Sequence, residues 1–159
     1  MAITLRLFQP QDATAIAQLF HDTVRTINRR DYSAEQVAAW APDDLNFRDW
    51  ATVCAQRWTY VAETAGQIVG FAELEPHGHI DCFYCHKDFQ GQGIGRRLYE
   101  AIEAKAQELE LRQLDVEASI TAKPFFQRLG FVVVTPQQVT RRGQTFTQTF
   151  TNYVMTKRI

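Results

Sequence analysis

The sequence predicts a single α/β domain with a mixed sheet, on three observations. Strand-like and helix-like runs alternate along its 159 residues in the order strand, helices, three strands, helix, strand, helix, two strands. A glycine-rich octapeptide, Gln90-Gly91-Gln92-Gly93-Ile94-Gly95-Arg96-Arg97, joins a strand-like run, Ile80 to His86, to a helical run, Arg96 to Leu109. No linker, low-complexity stretch or long repeat divides the chain, and the length suits one domain over residues 1–159. A chain of this size buries roughly two thirds of its unfolded surface, enough for a real core.

Ile3 to Phe8 alternates apolar and polar residues and reads as a first strand. Asp12 is placed to N-cap a helix carrying Ile16, Leu19, Phe20, Val24 and Ile27 at helical spacing. Ser33-Ala34-Glu35-Gln36 has the capping-box form and opens a short helix that Pro42 closes. Phe47 to Trp58 reads as a further helix. Thr59 to Thr64 and Ile68 to Glu75, joined through Ala65-Gly66-Gln67, form a hairpin signal, and Pro76-His77-Gly78 turns the chain into Ile80 to His86. After the central helix, with Ile94, Leu98, Ile102 and Leu109 on one stripe, come a strand from Leu114 to Ala118 and a helix from Ala122 to Leu129. Pro124 falls in that helix's first turn and Gly130 stops it. A strand from Phe131 to Val134, a turn at Arg142-Gly143 and a long strand from Phe146 to Thr156 complete the chain. Residues 144–151 double a Gln-Thr-Phe-Thr tetrapeptide, for which we have no functional account.

Composition excludes several classes. The net charge is −1, with 45% hydrophobic and 22% charged residues, so no overall field draws the chain to nucleic acid or a membrane surface. No apolar run approaches the ~20 residues of a membrane span. The alternating N-terminus is unlike a signal peptide. Cys54, Cys82 and Cys85 form no disulfide framework. These features predict a soluble, cytoplasmic protein; a homodimer is compatible with them.

The glycine octapeptide is laid out to bind an anion. The first N–H groups of a helix lack intrahelical partners and lie at the positive end of its dipole, which suits phosphate. Arg96 and Arg97 add two guanidinium forks, and Lys87 and Lys123 further charge. The Rossmann fingerprint fails, because Arg96 stands at its third glycine, and the P-loop fails, because Gly95 is followed by two arginines. Gln90, Gly93 and Gly95 do satisfy Gln/Arg-x-x-Gly-x-Gly/Ala. With the preceding Phe83-Tyr84-Cys85-His86-Lys87-Asp88-Phe89, this resembles the pyrophosphate loop of the GNAT superfamily of acyl-CoA-dependent N-acetyltransferases. A second stretch, Ser119-Ile120-Thr121-Ala122-Lys123-Pro124-Phe125-Phe126-Gln127-Arg128-Leu129-Gly130-Phe131, is similar to the family's Asn-x-x-Ala-x-x-Phe-Tyr-x-x-x-Gly-Phe. Together with Tyr32 to Trp40, it looks closest to the YafP-like bacterial members.

The resemblance implies a GNAT fold: a mixed, mostly antiparallel sheet of about seven strands flanked by four to five helices. It implies acetyl-CoA as co-substrate and transfer of the acetyl group to an amine. Gln90 to Arg96 would bind its diphosphate, with Gly91, Gln92, Gly93, Ile94 and Gly95 supplying backbone. The strand backbone at Phe83, Tyr84 and Cys85 would pair with the pantetheine arm, and Ser119, Lys123 and Phe126 would touch the cofactor. Ser119 replaces the family's Asn. Phe126 replaces a Tyr that protonates the departing thiolate, a loss worth ~10²–10⁴-fold at most, unless Tyr153 or, second, Tyr84 substitutes.

An alkyl amine with a pKa near ~10.4 costs about 4–5 kcal/mol to deprotonate at pH 7, so a base is the main chemical demand. Asp81, Glu117 and Glu73 are candidates, Asp81 first because Ile80 and Phe83 should partly desolvate it; His79 is a further one. Tyr32 and Trp40, on the helices after the first strand, are candidate walls of the acceptor pocket. The acceptor itself, a small molecule or a peptide, stays open, as do acyl length and oligomeric state. A zinc site at His77, His79, Cys82, Cys85 and His86 is disfavoured, because cysteines three apart in a strand face opposite ways. The alternative reading is an acyl-CoA sensor, or a GNAT-like module with impaired catalysis, which Phe126 favours.

Overall fold

A computed structural model describes residues 2–142 and 147–159. Seven strands form one sheet: β1 Thr4–Leu7, β2 Trp58–Thr64, β3 Gln67–Leu74, β4 His79–Cys85, β5 Gln113–Ser119, β6 Val132–Arg142 and β7 Thr147–Arg158. Their order is β1-β2-β3-β4-β5-β7-β6, and every neighbouring pair is antiparallel except β4 with β5. Helices α1 (Ala13–Thr26), α2 (Ala34–Trp40) and α3 (Trp50–Ala55) cover one face; α4 (Ile94–Glu108) and α5 (Lys123–Arg128) cover the other.

Each face has its own core. Leu74, Ile80, Leu98, Ile102, Leu114 and Met155 are fully buried beneath α4 and α5. Ile16, Val24, Val61 and Phe71, fully buried too, pack beneath α1 to α3. The α4 stripe is Ile94, Leu98, Tyr99, Ile102 and Ala106; Leu109, expected on it, is only half-buried at the end of the helix. No helix among the described residues is long and apolar enough to cross a membrane.

Several boundaries differ from expectation. The third helix is only Trp50–Ala55, and Trp58 begins β2 instead, where its ring packs against the α4 core. A six-residue helix preceded by a single 3-10 turn at Leu45–Phe47 has too little apolar periodicity to be delimited from sequence. The expected Phe131 to Val134 strand runs to Arg142 despite Pro136. That proline is tolerated because β6 is the sheet's edge, where a missing N–H breaks no ladder. Asp12 does not cap α1. A 3-10 turn, Pro10–Asp12, precedes the helix, and the Asp12 carboxylate accepts from Gln9 N at 2.7 Å and from both terminal nitrogens of Arg6. The capping box of α2 forms as its sequence requires, with Gln36 N donating to Ser33 Oγ and Ser33 N to Gln36 Oε1. Gly143, and the Gln144 to Phe146 part of the doubled tetrapeptide, lie outside the described residues.

One irregularity positions the site. Leu74 pairs with Ile80, but Ala72, two residues back on β3, pairs with Phe83, three residues on along β4. β4 therefore carries an extra residue, a bulge at Asp81 and Cys82. A bulge bends its strand and increases its twist. Beyond it β4 leaves β5: the two pair only at His79 with Asp115 and Ile80 with Val116. The diverging strands open clefts on both faces of the sheet.

Candidate active site

The glycine loop ends one cleft. Gly91 and Gly93 have φ of 73° and 82°, and Gly93 is the N-cap of α4. An added Cβ would meet nothing at either position, so glycine is required there for its backbone conformation and not for space. Gly95 is different: its φ is ordinary, and a Cβ would meet the Phe125 ring at 2.9 Å. Its role is close packing of α4 on α5. The first bond of α4 runs from Arg97 N to Gly93 O. The N–H groups of Gly91 to Arg96 meet no protein acceptor among the described residues. α4 thus begins two residues earlier than expected, and its first N–H groups fan toward the cleft.

The cleft has a volume of about 520 Å³ and lies between β4, β5, α5 and the loop. Phe83, Tyr84, Cys85, Gln90, Gly91, Gly93, Ile94, Gly95, Arg96, Ser119 and Phe126 all border it. Its cations are Arg96, Arg30 and Arg128. The last two were missed in the sequence because they lie in unrelated elements that only folding brings together. The other expected cations are elsewhere. Arg97 donates to the Ile3 carbonyl, Lys87 pairs with Asp88, and Lys123 lies 4.3 Å above the Tyr153 ring. Tyr153 and Lys123 do not border either cleft, since β7 presents Tyr153 to the α4–α5 core. Gln92 is exposed and points off the wall.

Polar side chains expected on the cofactor are partly engaged in the fold. Gln90 Nε2 donates to the Cys85 carbonyl at 2.8 Å, which also accepts from Thr23 Oγ1 at 3.0 Å. Both lone pairs of that carbonyl are taken; His86 N donates to Val69 O, so by alternation along the ladder Tyr84, paired with Phe71, also faces β3, and the backbone left facing away from β3 is Phe83 and the Cys85 N–H. Ser119 Oγ accepts from Ala122 N and from Asn28 Nδ2, which closes the turn into α5. Phe126 is 2% exposed and packs among Phe83, Phe125 and Phe131. Burial pushes the Cys85 thiol up to about 12 and the Cys82 thiol well above its usual value, so neither is a ready nucleophile.

On the opposite face a smaller pocket, about 200 Å³, is bordered by Tyr32, Trp40, Arg48, His79, Asp81, Tyr84, Glu117, Arg141, Phe150 and Asn152. Trp40, Asp81, Tyr84, Glu117 and Ser119 border both cavities and mark where they meet. Tyr32 borders this pocket, and its hydroxyl is occupied: it donates to Thr151 O at 2.6 Å and accepts from Ile120 N at 2.8 Å. Trp40 stacks on Phe150. His79 Nδ1 is bound to Asp115. Burial pushes the Tyr84 phenol well above its usual value, which keeps it protonated.

The carboxylates differ in their partners. Asp81 is not desolvated as its neighbours suggested: its side chain is 42% exposed, and Oδ2 takes Arg57 Nη1 at 2.5 Å and Arg48 Nη2 at 3.2 Å. The bulge turns it toward these arginines. Glu73 is fully buried and held by the same two guanidinium groups at 2.8 and 2.9 Å. Glu117 is exposed at the junction and has no cation within ion-pair distance among the described residues. Of the Cys/His cluster that the sequence disfavoured as a zinc site, Cys82 and Cys85 point into opposite cores. Glu73, Asp81 and Cys82 do bring donor atoms within 4.8 Å of one another, but Arg48 and Arg57 already neutralise both carboxylates.

Comparison with known proteins agrees with this geometry. A family model described as an acetyltransferase (GNAT) domain matches residues 28–150. The chain is 33% identical over 151 residues, 95% of each chain, to an uncharacterized N-acetyltransferase of Escherichia coli K12, YafP. Among solved structures, a GCN5-related N-acetyltransferase from Rhodopseudomonas palustris is 33% identical with a TM-score of 0.89 over 100% of this chain and 99% of its own. The PaiA N-acetyltransferase of Thermoplasma acidophilum, solved with coenzyme A, shares the fold at 15% identity, with a TM-score of 0.80 over the whole of both chains. A loop of unpaired amides at the head of α4, a bulged β4 parting from β5, and these similarities together make this chain a member of the GNAT acetyltransferase family.

Proposed function

We propose that residues 1–159 act as one N-acetyltransferase domain that moves the acetyl group of acetyl-CoA to an amine by direct attack. The observation that carries this is the 520 Å³ cleft ending on the unpaired N–H groups of Gly91 to Arg96. Those amides, the start of the α4 dipole and the Arg96 guanidinium suit a diphosphate. Arg30 and Arg128 on the cleft wall add charge for further phosphate. The backbone of Phe83 and the N–H of Cys85, which face away from β3, suit the amides of an extended arm, added to β4 as a strand would be. Acetyl-CoA bound this way would present an acyl thioester at the junction of the two cavities.

The amine reaches the junction through the 200 Å³ pocket. Its nitrogen forms the new bond to the acyl carbon, and the carbon–sulfur bond breaks with its electron pair going to sulfur. Glu117 is the group at the junction free to take the amine proton, directly or through water. Asp81, ranked first from sequence, is committed to Arg48 and Arg57, and we assign it the positioning of the bulge. Tyr84 replaces Tyr153 as the hydroxyl that donates to the departing sulfur, because it alone of the two borders the cavities.

Calorimetric titration with acetyl-CoA, paired with thiol release in the presence of amines, tests the reading. We expect saturable binding that Gly93→Glu abolishes, since the new side chain strains a φ of 82° and places a carboxylate at the anion site. Unchanged affinity in a folded Gly93→Glu protein would remove the loop from the site.

A further inference from the structure

The acceptor pocket has a charge order that acetyl transfer by itself does not require; a ligand class assigned to that order rests on the transferase reading of the site. Starting at the junction, Glu117 and Ser119 lie on one face of β5. Ser119 is opposite Asn152 of β7, Phe150 is opposite Val139 of β6, and Arg141 lies two residues beyond Val139. All of these side chains border the same pocket. The sequence along it is therefore acid, amide, aromatic and guanidinium.

Two of these groups are unsatisfied in a way that points to a ligand. Asn152 Oδ1 is buried and has no hydrogen-bond partner. A buried carbonyl oxygen without a donor is costly, and a donor supplied by a bound molecule removes the cost. Arg141 donates one bond to the Thr140 carbonyl and meets no carboxylate among the described residues. The pocket's other basic side chains are paired, Arg48 with Glu73 and Asp81, and His79 with Asp115. A guanidinium left open at a pocket wall suits a carboxylate, which it can hold with two parallel bonds.

Separation sets the spacing of the ligand's groups. Six residue steps of strand lie between Glu117 and Arg141, about 20 Å along the backbone. Both side chains border the pocket, and turned toward each other along it they would shorten the gap. The remaining distance fits an amine and a carboxylate several bonds apart, and exceeds the spacing within a free α-amino acid. At 200 Å³ the pocket is smaller than the ~300–1,000 Å³ of drug-sized sites, so it admits one slender molecule. A diamine would direct its second cation at Arg141.

We propose that the acceptor is a small amino-carboxylate whose amine and carboxylate are separated by several bonds, of the ω-amino-acid or dipeptide class. The amine faces Glu117, an N–H donates to Asn152 Oδ1, and the carboxylate is held by Arg141.

The test uses the full chain with acetyl-CoA and four probes: 5-aminopentanoate, its methyl ester, pentylamine and 1,5-diaminopentane. Thiol release should give 5-aminopentanoate a kcat/KM at least tenfold above the other three. Arg141→Gln, at an exposed strand position, should collapse that preference through KM and not kcat. In parallel, fluorescence of Trp40 and Trp50, both on the pocket wall, should change saturably with 5-aminopentanoate in the wild type and not in Arg141→Gln. The inference is overturned if the ester or the diamine matches the acid, if Arg141→Gln slows all four alike, or if acetyl-CoA binds but the acid neither turns over nor changes the fluorescence. A chain with no affinity for acetyl-CoA would instead refute the transferase reading, and the fluorescence titration would still decide the acceptor.

Discussion

Two carboxylates reach the junction of the cavities, and their partners decide which can accept a proton. Asp81 shares Oδ2 between two guanidinium groups, so that oxygen is already occupied and held toward Arg48 and Arg57. Glu117 has no such partner among the described residues. We therefore expect Glu117→Gln to lower kcat by about 10²–10⁴-fold while acetyl-CoA affinity is kept, and Asp81→Asn to lower it less than tenfold. Steady-state kinetics with one amine at saturating acetyl-CoA measures both; the reverse ranking would return Asp81 to the role of base. Phe126 shows the same dependence on surroundings. It packs in an aromatic cluster at the cleft wall, and the hydroxyl that we propose as donor, Tyr84, comes from a strand instead.

At the scale of elements, short-range chemistry governs the ends and tertiary contact governs the extent. The α2 capping box needs only Ser33 and Gln36, three residues apart, and was legible for that reason. Asp12 seemed equally local, yet its carboxylate ties the turn before α1 to Arg6 of β1. That guanidinium, chiefly by hydrogen bonding, holds the Asp12 carboxyl below its ordinary 3.8. A depressed folded value means the contribution is complete above pH 3.8 and is lost as pH falls through the folded value. Asp12→Asn should accordingly cost about 2 kcal/mol at pH 7. In urea unfolding the gap from wild type should narrow below pH 3.8. A gap that stays constant from pH 7 to pH 2 would show that the ion pair contributes nothing. The bulge in β4 had no such local mark, because Asp81-Cys82 looks like ordinary strand sequence. It arises where Glu73 of β3 is buried beneath Arg48 and Arg57, residues from separate parts of the chain.

Across the whole molecule, the two cavities meet only because β4 and β5 are parallel neighbours for two residue pairs and then separate. Binding in such a cleft links the elements on both sides, so a ligand that selects the folded state should stabilise all of it. At a hundred times its dissociation constant, acetyl-CoA should add about 2.7 kcal/mol, or roughly 5–10 °C in Tm for a chain of this length. Thermal unfolding with and without acetyl-CoA measures this, and Gly93→Glu should show no shift.

The sequence by itself determined the order of elements, the glycine loop at the head of α4 and the family, because each depends on residues close together along the chain. Backbone conformation at Gly91 and Gly93 and helix periodicity from Ile94 to Ala106 are set within a few residues. The tertiary structure alone decided which charged groups meet. It sent Arg97, Lys123 and Tyr153 away from the cleft, brought in Arg30 and Arg128, neutralised Asp81 and, among the described residues, left Glu117 and Arg141 without an ion-pair partner and Asn152 Oδ1 without a hydrogen bond. Ionic and hydrogen-bond partners are chosen by proximity in space, and in a sheet built from distant strands that proximity is not encoded by nearness in sequence.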